Sequence, residues 1–115
     1  MSKQPPSRRS RPRPPSPVRV GAFRYTVSEE PIPHEEQPAW GLTEPRSERI
    51  TLEPGQSPNF KRDTFLHELL HACLFASGMP LGHEEEERIV SALTPILLDT
   101  LRRNPAVVAY LMSDA

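Results

Sequence analysis

The chain has 115 residues, 36% hydrophobic and 25% charged, with a formal net charge of −1. That is enough for one domain, and no apolar run approaches the roughly 18 residues of a membrane span. A single cysteine, Cys73, excludes an intrachain disulfide. With no signal-peptide h-region present, the expected setting is the cytoplasm.

Six of the 14 basic residues lie before residue 20 with no acid among them, and all 15 acids lie beyond it. The first 17 residues hold six prolines and no aliphatic or aromatic residue after Met1. Such a segment cannot bury anything, so residues 1–17 read as a disordered basic Pro/Arg-rich arm. It is chiefly a solubilising tail, with weak nucleic-acid contact as its functional alternative. Foldable sequence begins at Val18, which makes residues 18–115 the domain.

Residues 18–27, V-R-V-G-A-F-R-Y-T-V, alternate β-branched and aromatic residues with others, and read as one strand with a bulge at Gly21. Residues 28–38 are a proline-rich acidic loop in which His34 reads as solvated. Residues 39–43 form a short strand carrying Trp40, which reads as core or sheet-capping. Residues 44–47 turn, and residues 48–52, E-R-I-T-L, form another strand ended by Pro54-Gly55. Together these predict a small antiparallel sheet.

Ser57-Pro58 marks a helix start, with Ser as N-cap and Pro at the first helical position. The helix runs to Ser77 and stops at Gly78. Phe60, Thr64, His67, His71 and Leu74 share one face. Leucines on the flanks make this a central helix, and Cys73 reads as a small buried hydrophobe. A second helix begins in the acidic run Glu84 to Glu87, favourable at a helix N-terminus. Its core face is Ile89, Val90, Leu93, Ile96, Leu97 and Leu101, with a kink or break expected at Pro95. Pro105 opens a short third helix to Met112, in which Tyr110 reads as core. The fold class is therefore α+β, with the sheet packed on the central helix and one long and one short helix following.

His67-Glu68-Leu69-Leu70-His71 spells H-E-x-x-H within the central helix. Positions i and i+4 stand one above the other, so two imidazoles can hold one Zn²⁺ while Glu68 takes a proton from water on the metal. An ionised glutamate among so much hydrocarbon is costly if idle. A third ligand is expected, because catalytic zinc sites use three protein ligands and leave one position for water. At about 100° per residue, with Ile89 at zero, the expected core stripe centres near 40° and Glu86 falls at about 60°. Glu85 and Glu87 fall further off, at about −40° and 160°. Glu86 is thus the favoured ligand, with Glu87, Glu85 and His83 as alternatives. Tyr110 is a secondary candidate for an oxyanion donor.

The segments R-D-T-F-L-H-E-L-L-H-A, E-E-x-I-V-x-x-L and L-R-R-N-P-x-x-V-A-Y-L resemble small metallopeptidase-like proteins of phages and bacteria. These sit on the gluzincin side of the zincins, similar to the ImmA/IrrE-type metallopeptidases. The resemblance covers roughly residues 18–112. It implies zinc held by His67, His71 and a glutamate of the Glu86-Glu87 pair, with Glu68 as catalytic base. Two features depart from it: no helix-turn-helix partner segment, and S-A-L-T-P-I-L-L where those enzymes carry F-A-x-x-L-L-M-P. SprT-like proteases, whose third ligand is a histidine after glycine, are a second resemblance through Gly82-His83, and would link the basic arm to DNA. The function expected is zinc-dependent peptide-bond hydrolysis, with the peptide added as a strand to the sheet edge. A non-catalytic zinc-stabilised binding module is the alternative of a different class.

Overall fold

The computed structural model describes residues 13–33 and 39–114. Its elements are β1 (Val18–Val20), β2 (Phe23–Glu29), β3 (Gly41–Glu44), a 3₁₀ turn (Pro45–Ser47), β4 (Arg49–Leu52), α1 (Pro58–Ser77), α2 (His83–Arg103) and α3 (Pro105–Leu111). The α+β class and the helix–sheet layering agree with the sequence. The expectation for His34 lies outside the described residues, as does the expectation for residues 1–12 of the arm.

The sheet corrects the sequence reading in two ways. Residues 18–27 are a hairpin, not one bulged strand. Val20 pairs with Phe23 across a two-residue turn, and Gly21 takes φ +59°. A glycine at the first central position of such a turn supplies the twist that joins right-handed strands. The strand order is β1-β2-β4-β3, and β2 pairs with β4 in parallel, so the sheet is mixed rather than antiparallel. Periodicity reports which face a residue takes, not which way its neighbour runs. The long connection before β3 reverses the chain, and the β3–β4 hairpin then places β4 alongside β2. This leaves β3 as an outer strand.

Val20, Tyr25, Ile50, Leu52 and Ala72 form the buried core, with Phe23, Val27, Phe65 and Leu69 packed around it. α1 lays one face on the sheet through Thr64, Glu68 and Ala72, its only fully buried residues. Its start follows the sequence: the Ser57 hydroxyl accepts from Phe60 N–H, Pro58 opens the helix, and Gly78 ends it at φ +71°.

α2 packs on α1 through Val90 and Thr94. Ile89, Leu93 and Ile96, expected in the core, are 42%, 46% and 66% exposed. The fully buried residue beside Val90 is polar Thr94, whose hydroxyl satisfies the Val90 carbonyl. Helix α2 passes through Pro95 without interruption. Pro95 and Ser91, one turn earlier, are exposed, so water can donate to the Ser91 carbonyl the hydrogen bond that proline cannot give. Cys73 is exposed, against expectation. Tyr110 is 78% exposed on α3 and is not core.

The last part of the expected arm is packed. Val27 N–H donates to the Ser16 hydroxyl at 3.0 Å, a side-chain bond just upstream of β1. Arg13, Pro14 and Pro15 close a cavity of about 160 Å³ against Pro58, Lys61 and Phe65. Among the described residues, Arg13 to Ser16 therefore contact the body, with Pro14 half-buried.

Candidate metal centre

His67, Glu68 and His71 project from the middle of α1, and Glu86 and Glu87 from the first turns of α2. The His67 and His71 rings lie 4.9 Å apart, as the i, i+4 spacing requires. His67 Nε2 stands 2.9 Å from Glu87 Oε1, and His71 Nε2 stands 2.9 Å from Glu87 Oε2. His71 Nδ1 lies 2.6 Å from Glu86 Oε2. His67, His71 and Glu87 each offer one ligand atom within a 4.8 Å span.

The carboxylate that faces both Nε2 atoms is Glu87, where the sequence favoured Glu86. Glu86 turns to the far nitrogen of one ring. The physical reason lies in the phase of α2. The stripe that is covered, Val90, Thr94, Leu97 and Leu101, centres at about 110° in the frame used above, not near 40°. Glu86 and Glu87 then flank it by about 50° on either side, and both reach α1. Ile89, Leu93 and Ile96 are apolar and yet exposed, so the apolar stripe and the covered stripe of α2 do not coincide. Glu85 and His83 are exposed and do not join the cluster, although His83 lines the cleft beside it.

The donor set fits a divalent zinc ion. Two imidazole nitrogens and one carboxylate are the borderline and hard donors that zinc takes in catalytic sites. Both ring nitrogens of His71 face carboxylate oxygens, Nδ1 that of Glu86 and Nε2 that of Glu87; with a metal on Nε2, the Glu86 contact would hold the ring proton on Nδ1. Such a carboxylate behind a ligating imidazole fixes its tautomer and raises its basicity. Burial acts to raise the Glu87 carboxyl, but His67, His71 and the hydroxyl of Ser91 outweigh it and hold Glu87 below the ordinary glutamate range.

Glu68 is 6% exposed, on the α1 face against β3. Burial pushes its carboxyl above the ordinary glutamate range, against the opposing effects of Thr43, His67 and His71. The Thr43 hydroxyl lies 2.7 Å from Glu68 Oε1 and 3.0 Å from the Glu68 carbonyl, and so fixes the carboxylate to its own backbone. Gly41 makes this approach possible. A Cβ there would stand 2.7 Å from Glu68 Cγ and 2.8 Å from Thr64 Cγ2. Neither Gly41 nor Thr43 was singled out from the sequence. An isolated glycine inside a strand pattern, next to Trp40, is the signal that marks a close backbone approach.

The cluster opens into a cleft of about 750 Å³ between β3, α1 and the start of α2. Trp40 and Phe60 form part of its wall, stacked edge to face with centroids 5.3 Å apart. Trp40 is 51% exposed and belongs to this wall rather than to the core. Tyr110 does not line the cleft.

The Trp40 carbonyl accepts from Glu53 N–H at 2.9 Å, so Trp40 and Glu53 are a hydrogen-bonded pair at the start of the β3–β4 ladder. Antiparallel pairs alternate. Gly41 and Thr43 therefore fall at the non-bonded positions, with their N–H and C=O groups turned to the outer edge of β3.

No family model matches the chain, and neither a curated protein nor a solved structure matches it. Function is thus read from the site's own chemistry.

Proposed function

We propose that this protein is a zinc-dependent peptidase of the ImmA/IrrE-like gluzincin kind. The observation that carries the reading is the convergence of both imidazole Nε2 atoms on Glu87, beside a buried glutamate fixed by Thr43. His67, His71 and Glu87 would hold the metal, and Glu86 would orient His71. Zinc, when bound, supplies Lewis acidity that polarises a carbonyl and makes water a nucleophile near neutral pH. Glu68 takes the proton of the attacking water and delivers it to the leaving amine. A carboxyl raised above its usual range is a better base than an ordinary glutamate, and its burial excludes competing water. The open edge of β3 pairs with an extended peptide through Gly41 and Thr43, which carries the scissile bond past Glu68.

A purely structural zinc site has no use for a buried base, which favours the enzyme over a zinc-stabilised module. A histidine third ligand, as in SprT-like proteases, is disfavoured because His83 stays outside the cluster while Glu87 is in it. The lone cysteine suits a reducing cytoplasm. Among the described residues no helix is long and apolar enough to cross a membrane.

The test is elemental analysis of protein purified without chelator, joined to a proteome-wide cleavage assay with Glu68→Gln as control. One zinc per chain and cleavage lost only in the variant are expected. Protein that ignores zinc, or a variant that cleaves as well as wild type, defeats the proposal.

A further inference from the structure

We propose that Trp40, Phe60 and Asp63 form a subsite for the cationic side chain of a lysine or arginine in the bound peptide. The inference rests on the peptidase reading for the peptide's path, and on its own observations for the chemistry. Phe60, Asp63 and His67 lie at i, i+3 and i+7 of α1, so they form one row along the cleft wall. Trp40 stacks on Phe60, and the two rings are 51% and 47% exposed. Two half-exposed aromatic faces beside a carboxylate offer a cation both ring quadrupoles and an opposite charge.

Asp63 has no hydrogen-bond or ion-pair partner among the described residues. The cations next to it in sequence are turned elsewhere: Lys61 pairs with Glu29 at 2.6 Å, and Arg62 donates to Asn59 at 3.0 Å. An apolar occupant would desolvate Asp63 without pairing it, which costs free energy, whereas a cation satisfies it.

The subsite is fixed in advance of binding. The Trp40 carbonyl accepts from Glu53 N–H and from Gln56 Nε2, and Gln56 Oε1 accepts from the Thr64 hydroxyl at 2.6 Å. Seven residues of helix separate Phe60 from His67, about 10 Å at about 1.5 Å each, or roughly three residues of extended chain at about 3.3 Å each. Asp63 is one turn closer. The cation therefore sits two to three residues from the scissile bond.

Trp40 is the one tryptophan of the chain, so its emission reports on this subsite directly. The full-length Glu68→Gln protein, loaded with zinc, is titrated with acetylated, amidated heptapeptides of alanine carrying one arginine, lysine, citrulline or norleucine. Its emission should respond saturably to the arginine and lysine peptides. Citrulline and norleucine should bind about tenfold more weakly, and Asp63→Asn should weaken the arginine peptide about tenfold while leaving norleucine no weaker than before. Equal affinity for arginine and norleucine peptides, or an Asp63→Asn protein that binds arginine as before, would overturn the proposal. The same titration without zinc separates the two readings. A cation-selective Trp40 response in a protein that never binds zinc supports the subsite and defeats the peptidase.

Discussion

Replacing Gly41 by alanine tests the part of the site that packing alone decides. The added Cβ would stand 2.7 Å from Glu68 Cγ, 2.8 Å from Glu68 Oε2 and 2.8 Å from Thr64 Cγ2. Two of the three are inner atoms of buried side chains, so relief needs the whole Glu68 side chain or the backbone to shift, not a flexible tip alone. Overpacking of this kind costs about 1–3 kcal/mol. In a domain of this size each kcal/mol lowers the melting temperature by roughly 4–8 °C. The less costly escape is for Glu68 to turn, which breaks the Thr43 bond and misplaces the base. Misplacement by about 1 Å can lower turnover about 100-fold. The expected outcome is a melting temperature lower by at least several degrees, zinc retained through His67, His71 and Glu87, and hydrolysis nearly lost. Differential scanning calorimetry, elemental analysis and a peptide cleavage assay read the three. Gly82→Ala is the control, because a Cβ there meets nothing within 4 Å and the backbone φ is −68°. A Gly41→Ala protein as stable and as active as wild type would refute the close approach of β3 to Glu68.

Three further outcomes follow from the geometry. Glu87→Ala should abolish stoichiometric zinc binding, while Glu86→Ala should weaken it about 10- to 100-fold through loss of the His71 orientation; competition titration against a chromophoric chelator would show the reverse order if Glu86 were the ligand. In metal-free protein, Glu68→Gln should be the more stable form at neutral pH. The folded state raises the Glu68 carboxyl above its ordinary 4.5, so the stability that its protonated form contributes is fully present below that value and lost as pH rises through the folded one. Urea titrations should therefore find the gap between wild type and variant closing at low pH, and a pH-independent gap would contradict a raised carboxyl. A chain beginning at Val18 should melt lower than the full chain by a few degrees, since it loses the Ser16–Val27 bond, worth about 1 kcal/mol, and the packing of Arg13 to Pro15 on α1; an unchanged melting temperature would show that this segment contributes nothing.

Local rules determined α1 from the sequence to the residue. Ser57, Pro58 and Gly78 each act within one helical turn, so no tertiary information was needed to place its ends. The H-E-x-x-H row followed, because i, i+4 adjacency is a property of any helix. The strands at Ile50 and Leu52 were legible from alternation for the same reason. What the sequence left undecided depended on neighbours far along the chain. The parallel pairing of β2 with β4 is set by how the β3–β4 hairpin docks, and no residue within β2 encodes it. The covered face of α2 is set by where α1 meets it. Thr94 is buried while Ile96 is exposed, so hydrophobicity alone misplaced the covered face and pointed to Glu86, whereas Glu87 is the residue that faces both Nε2 atoms. Gly41 and Thr43 belong to the site only because β3 crosses α1 at Glu68, a contact between residues 25 positions apart for Thr43. Side-chain chemistry named the candidate ligands; only the crossing of helices and the docking of an edge strand decided which of them meet.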